Sequence, residues 1–363
     1  MRNLTERLDS VFMVSHHNHG TIKPMEGLRG FAAFMVFVVH FAAQSQSWVS
    51  EDSFTFDLIF YLRFLGATGV DLFFILSGFL IYGMLIKRSV NYKTYAKRRI
   101  KRIYPTFLVV MGLYLVLSVL FPQESKLPEG LLNIGVYLVQ CLLLLPGLFD
   151  IRPLFAVAWT LSYEMFFYLL VPIVIATIRL RQWRWQQRML FLTASTVTGF
   201  FIAWFNASHI EMLMFISGMM IFELRQKQIS FTKLSASWLL PATLFSMLLI
   251  RYFFYFDYTW FVVVVMYFGY GLSCLSIFEG RPAIAKIFAH RYMRWYGNMS
   301  YSYYLIHGLT LKFLFLVLSL LLAPSASQDW VFYTMFIPFF LLTLIVSAFL
   351  FVLIEKPLSL QKK

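Results

Sequence analysis

Charge is scarce in this sequence. Only 13% of its 363 residues are Asp, Glu, Lys or Arg, against about 25% in a soluble globular domain. That shortage excludes a water-facing surface over most of the chain. Cysteine is nearly absent: Cys141 and Cys274 both lie in apolar runs, so neither a disulfide framework nor a zinc site with paired cysteines can be assembled. Internal repeats and low-complexity linkers are missing, which leaves one integral domain as the simplest organisation. Met1 to Gly20 lacks the apolar core of a secretory leader. This segment reads as a disordered polar tail, and its His16, His17 and His19 fit that tail better than a metal site. No metal is expected elsewhere. The net charge of +14 comes without an aromatic-basic nucleic-acid motif, so no nucleic-acid partner is expected.

What the chain does have is apolar length. It is 60% hydrophobic and 19% aromatic, with a mean hydropathy of +0.71. Runs of about twenty apolar residues place it among polytopic helical membrane proteins. The spans are predicted at 27–46, 65–86, 103–121, 157–178, 189–205, 210–224, 235–255, 259–278, 299–322 and 330–354. The apolar run Leu131–Pro146 is predicted not to cross. With the N-terminus inside, the Lys87–Arg102 and Arg179–Arg188 clusters then both face the cytoplasm, as the positive-inside rule requires. The expected architecture is all-α, a polytopic integral membrane protein of about ten transmembrane helices with both termini cytoplasmic. A polar tail (1–22) precedes the membrane domain (23–358), and a short basic tail (359–363) follows it.

Several polar residues lie where lipid does not welcome them. The first span carries Gly27-Leu28-Arg29-Gly30 and then His40 in an otherwise apolar run. An ionisable group there costs about 2.5–3.5 kcal/mol, so function is the default reading. Arg29 and His40 stand about 16 Å apart along a helix, one at the membrane edge and one deep inside. The second span holds Asp71, read either as functional or as a helix-end carboxylate, and Ser77-Gly78, whose small size suits close helix contact. Arg99 and Arg102 are three residues apart and share one helical face. Their planar guanidinium groups suit phosphate contacts, from a soluble ligand or from lipid headgroups. Glu164 lies in the external half of the fourth span, where a buried carboxylate needs a partner. The ninth span opens with Ser300 and Tyr301 and carries His307 in its cytoplasmic half.

Taken in order, these motifs resemble the membrane acyltransferase-3 family, a bacterial group that O-acylates surface and exported glycans. The resemblance runs from Gly27–Gly30 with His40, through Gly69–Leu80, Arg99–Arg102 before Pro105, Trp159–Glu164 with Phe167-Tyr168, and Ser300-Tyr301 through His307, to Glu355-Lys356-Pro357. It implies a ten-helix bundle in the bacterial inner membrane, with acyl-CoA, most commonly acetyl-CoA, as a donor co-substrate rather than a permanently bound cofactor. The implied acceptor is a glycan or lipid-linked sugar, such as O-antigen or another polysaccharide. Some relatives add a C-terminal extracytoplasmic SGNH esterase-like domain. Since the sequence runs only six residues past Pro357, transfer is expected to be completed by the membrane domain or by a separate protein.

The expected chemistry follows from the residue types. Histidine suits the removal of a hydroxyl proton near neutral pH, and His40 is assigned that role. Glu164, or Asp71, is assigned the orienting acid. Arg29, Arg99 and Arg102 are assigned to the CoA phosphates. Ser77, Ser300, Tyr301 and His307 are assigned to substrate contact or support. Direct transfer and transfer through an acyl-enzyme on Tyr301 or Ser77 both stay open. The competing class is a secondary transporter or flippase with an intramembrane proton relay.

Overall fold

Lipid offers no hydrogen bonds, so a spanning backbone must satisfy its own polar groups, and helices do so within one segment. The computed structural model obeys this rule over the residues it describes: 4–13, 22–228, 237–254, 260–280, 283–325 and 327–360. Among them there is no β-strand, only an isolated bridge between Pro146 and Phe149. In chain order the helices are α1 (Leu4–Phe12), α2 (Lys23–Ser45), α3 (Phe54–Ala67), α4 (Gly69–Lys87), α5 (Tyr92–Leu120), α6 (Leu131–Leu142), α7 (Ala158–Thr177) and α8 (Trp185–Phe205). They continue as α9 (Leu213–Gln226), α10 (Leu239–Phe254), α11 (Trp260–Val265), α12 (Gly271–Phe278), α13 (Ala283–Ala289), α14 (Arg291–Asn298), α15 (Ser300–Leu321) and α16 (Trp330–Leu350). A π-helical turn, Met266–Tyr270, joins α11 to α12, and a π-helical stretch, Phe351–Leu360, extends α16.

Among the described residues, eight helical stretches are long and apolar enough to cross a membrane. Over the described residues, two of the ten predicted spans fall short of that length. The 210–224 run forms α9, of 14 residues with Glu223 and Arg225 inside it, and the 235–255 run forms α10, of 16 residues. At 1.5 Å per residue these reach about 21 and 24 Å, less than the roughly 30 Å of hydrocarbon. The second predicted span begins earlier than expected: α3 and α4 run on from Phe54 and break only at Thr68. The Leu131–Pro146 run forms α6, 12 residues long, about 18 Å and too short to cross. Leu131, Leu132, Val136 and Val139 on it are exposed, while Tyr137 and Cys141 are buried.

The described residues fall into two compact units. The larger comprises Met1–Gly83 and Arg184–Ala348. Its central element is α2, started by Pro24 in its first turn and packed against α3, α13, α14 and α15. The approach of α2 to α14 is close enough that a Cβ on Gly297 would stand 1.6 Å from the Glu26 carbonyl oxygen. A similar contact joins α4 to α9, where a Cβ on Gly78 would lie 2.1 Å from the Phe215 carbonyl oxygen. Gly78 therefore serves helix packing. Also in this unit, Arg188 and Tyr82 converge on Glu223, which is wholly buried; the Arg188 Nε to Glu223 Oε1 distance is 2.6 Å and Tyr82 donates at 2.7 Å.

The N-terminal segment corrects one expectation. His16, His17 and His19 lie outside the described residues, but Leu4–Phe12 is helical rather than a disordered tail. Leu8, Val11 and Phe12 recur at helical spacing on its half-buried side, while Glu6, Arg7 and Ser10 are exposed. The Trp295 indole donates to Asp9 at 2.8 Å and Asn298 donates to the Phe12 carbonyl at 3.0 Å. These contacts to α14 supply the stabilisation that a nine-residue helix lacks alone.

The smaller unit comprises Met84–Trp183 and Phe349–Lys363. Here α5 packs against α7 and against the π-helical stretch 351–360. The helix α5 begins at Tyr92, capped by the Asn91 side chain on the Thr94 N–H, so the basic residues from Lys93 to Arg102 lie within it. Lys97, Arg98 and Lys101 are exposed, while Arg99 and Arg102 are half-buried. The three-residue spacing thus sorts the run into a solvated face and an inward face.

Candidate functional site

The structure groups the predicted residues into three clusters, two in the larger unit and one in the smaller. The first is built on α2 and α15. His40 is half-buried, in the last third of α2, whose neighbouring residues Phe37, Val38 and Phe41 are buried. Its imidazole faces that of His307, with ring centres 5.1 Å apart and planes inclined by 57°. His307 is completely buried. Its Nδ1 lies 2.9 Å from the Tyr303 carbonyl oxygen, and its ring stacks on the Tyr303 ring at 5.2 Å and 3°. Tyr303 is held in turn by a 3.0 Å hydrogen bond between its hydroxyl and that of Thr343 on α16. The i to i+4 step from Tyr303 to His307 places both on one face of α15.

At the start of α2, Arg29 is half-buried beside Glu26 in sequence, and Glu26 is paired with Arg294 of α14 at 2.7 Å. Ser300, at the first position of α15, is buried, and Tyr301 is half-buried.

The second cluster surrounds Asp71, in the first turn of α4, where a carboxylate complements the helix dipole. Asp71 is buried, and its charged neighbour is Glu211. Close by in sequence, Thr68 shares a 2.6 Å hydrogen bond with the Tyr270 hydroxyl. Ser77 is half-buried on the same helix.

In the smaller unit the third cluster joins two predicted residues through one that was not assigned. Tyr168 donates its hydroxyl to the Glu164 carboxylate. Its ring also lies 5.4 Å from the Arg99 guanidinium, and the Tyr95 ring lies 5.3 Å from the same group. Arg99 is therefore held between two aromatic faces, an arrangement that stabilises a cation by about 0.5–2 kcal/mol per ring. Its Nε is buried, with no hydrogen-bond partner among the described residues. Arg102, one turn on, is engaged differently: its Nη1 lies 2.5 Å from Glu355 Oε1, and Glu355 is fully buried. The C-terminal Glu-Lys-Pro motif thus has a structural role in securing α5.

Sequence reasoning left Tyr95, Tyr168, Tyr303 and Glu355 without a role. The signal was local in three cases: Tyr95, Tyr168 and Tyr303 each stand four residues from Arg99, Glu164 and His307 respectively, the spacing of side chains that meet on a helix. Glu223, an ionisable residue inside a predicted span, carried its own signal and went unassigned.

These clusters combine an imidazole facing a second imidazole, an aromatic-held arginine and buried carboxylates. Comparison with known proteins gives them a chemical context. A family model described as an acyltransferase domain matches residues 22–355. A protein named O-acetyltransferase OatA from Staphylococcus aureus (strain NCTC 8325 / PS 47) is 29% identical over 163 residues, which is 42% of this chain and 24% of that protein. Acyltransferase MdmB from Streptomyces mycarofaciens is 36% identical over 156 residues, 41% of this chain and 38% of that protein. The chain spans well under half the length of both relatives. No solved structure matches it.

Proposed function

The chain belongs to the membrane acyltransferase-3 family, matched over residues 22–355, and we propose that it is a multi-pass membrane acyltransferase that moves an acyl group, acetyl in the first instance, from acyl-CoA to a hydroxyl of a cell-surface or exported glycan. The observation that carries the reading is His40: an imidazole left half-buried on α2, next to residues that are buried. The O-acetyltransferase name of one relative supports acetyl as the group moved, and the bacterial sources of the relatives support the bacterial cytoplasmic membrane as its place.

In the proposed reaction His40 takes the proton of the acceptor hydroxyl as its oxygen bonds to the acyl carbon. The carbon–sulfur bond of the thioester then breaks. The sulfur leaves with the bonding electron pair and recovers the proton from His40 as free CoA thiol. Glu164 and Asp71 are the proposed carboxylates that stabilise the transient imidazolium. Arg29, Arg99 and Arg102 are the proposed contacts for the donor phosphates, which guanidinium groups match in geometry and charge. For Arg99 the support is its buried Nε, which has no hydrogen-bond partner among the described residues.

The test is acyl transfer in membranes carrying the wild type or His40→Ala, supplied with radiolabelled acetyl-CoA and a mixed glycan extract. Labelled glycan and acceptor-dependent CoA release from the wild type, with neither from the variant, is the expected result. Equal labelling by both removes His40 from the chemistry. No labelling by either, with any acyl donor, overturns the glycan-acylation reading.

A further inference from the structure

His307 has a hydrogen-bonding state that the structure defines. Its Nδ1 lies 2.9 Å from the Tyr303 carbonyl oxygen. A carbonyl only accepts, so Nδ1 carries the hydrogen and, in the neutral ring, Nε2 is a bare lone pair. That Nε2 is buried and has no hydrogen-bond partner among the described residues, although polar atoms in such surroundings are nearly always paired. An acceptor is thus presented without a donor, beside the His40 ring.

The separation of the two rings suits a direct bond. An N–H···N contact of about 2.9 Å, with about 1.1 Å from each nitrogen to its ring centre, requires centres about 5.1 Å apart; the observed value is 5.1 Å. The rings are inclined by 57° and His307 Nε2 has no hydrogen-bond partner among the described residues, so a His40 nitrogen must turn towards it to make the bond. The two rings are not equally free to turn. His307 is stacked on Tyr303 and bonded to its carbonyl, and Tyr303 is tied to Thr343. His40 is half-buried and is the ring that can rotate about its Cβ–Cγ bond.

We propose that His307 is the positioning partner of His40: its bare Nε2 receives the N–H of the His40 imidazole and leaves the other His40 nitrogen as the base. The proposal rests on the reading of His40 as base. His307 exchanges no proton in it. It fixes the tautomer and the ring angle of the group that does, the task a carboxylate performs in a serine-hydrolase triad.

The experiment uses the full chain in lipid nanodiscs with ring-¹⁵N histidine, whose nitrogen shifts report which atom of each ring is protonated. Signals are assigned by the loss of one at a time in His40→Asn and His307→Phe. The expected wild-type spectrum shows His307 protonated at Nδ1 and His40 as a single tautomer. In His307→Phe, which keeps a flat ring against Tyr303, His40 becomes a mixture of tautomers. Its kcat falls about 100-fold, the scale of a small misplacement of a reacting group, while the donor KM stays within about twofold. His307→Gln, whose carbonyl can take the His40 N–H, restores the single tautomer and part of kcat. A His40 tautomer unchanged in His307→Phe overturns the proposal, whatever happens to kcat. Absence of acyl transfer by the wild type, with the spectral changes intact, overturns the functional reading and leaves the histidine pairing standing.

Discussion

Arg102 Nη1 and Glu355 Oε1 lie 2.5 Å apart, joining α5 to the π-helical stretch at the far end of the sequence. The carboxylate is fully buried, so the two groups depend on one another. Removing one partner from such a pair leaves an uncompensated charge, at a cost of about 3–5 kcal/mol. Arg102→Ala is expected to lower stability by that amount in thermal unfolding of the detergent-solubilised protein. Arg102→Ala with Glu355→Ala is expected to recover part of it. Arg99→Ala is expected to cost about 1–4 kcal/mol, from its two aromatic contacts, and both variants are expected to raise the donor KM. A larger stability loss for Arg99→Ala than for Arg102→Ala would contradict this order.

Tyr168 connects Glu164 to Arg99, through its hydroxyl on one side and its ring on the other. Tyr168→Phe keeps the ring and deletes the hydrogen bond. A bond to a charged group contributes about 1.5–3 kcal/mol, so kcat/KM is expected to fall roughly 10- to 100-fold with the donor KM little changed. Tyr168→Ala also removes the ring and is expected to raise the donor KM. Steady-state CoA release measures both variants, and wild-type kinetics for Tyr168→Phe would rule out a role for the hydroxyl.

Glu223 receives Arg188 through both Nε and Nη2, at 2.6 and 3.0 Å, and the Tyr82 hydroxyl at 2.7 Å. Glu223→Gln keeps the shape and deletes the charge opposite Arg188, which is only 12% exposed. The expected loss is about 3–5 kcal/mol, with partial recovery in Glu223→Gln combined with Arg188→Met. Urea or thermal unfolding would show it, and an unshifted midpoint would mean that the pair contributes nothing net.

Two glycines are expected to respond to alanine with opposite signs. Gly297→Ala sets a Cβ 1.6 Å from the Glu26 carbonyl oxygen, and backbone must shift to admit it. The expected cost is about 3 kcal/mol, the upper end for overpacking, with loss of the Glu26–Arg294 pair beside it. At Gly112, inside α5, an added methyl group would meet nothing within 4 Å among the described residues. Gly112→Ala is expected to stabilise by about 0.5–1 kcal/mol through helix propensity. Melting temperatures of the two variants test both signs at once.

Much of the candidate site was legible because its signals are local. Arg29 and His40 stand out in an apolar run, and Arg99 and Arg102 share a helical face by spacing alone. The N-terminal helix was not legible, because nine residues form a helix here only against Trp295 and Asn298 of α14. The shortness of α9 was obscured by its apolar composition, since hydropathy does not show where a helix stops.

The sequence by itself determined a helical membrane protein with ionisable groups at a few fixed depths, because long apolar segments in lipid have one economical way to satisfy their backbone. Only the tertiary structure decided the partners: His307 for His40, Glu355 for Arg102, Glu223 for Arg188, Trp295 for Asp9. Periodicity states which face of a helix a side chain occupies. Which face of which distant helix meets it depends on close packing, at contacts such as Gly297 on Glu26 and Gly78 on Phe215, and that packing is a property of the assembled chain.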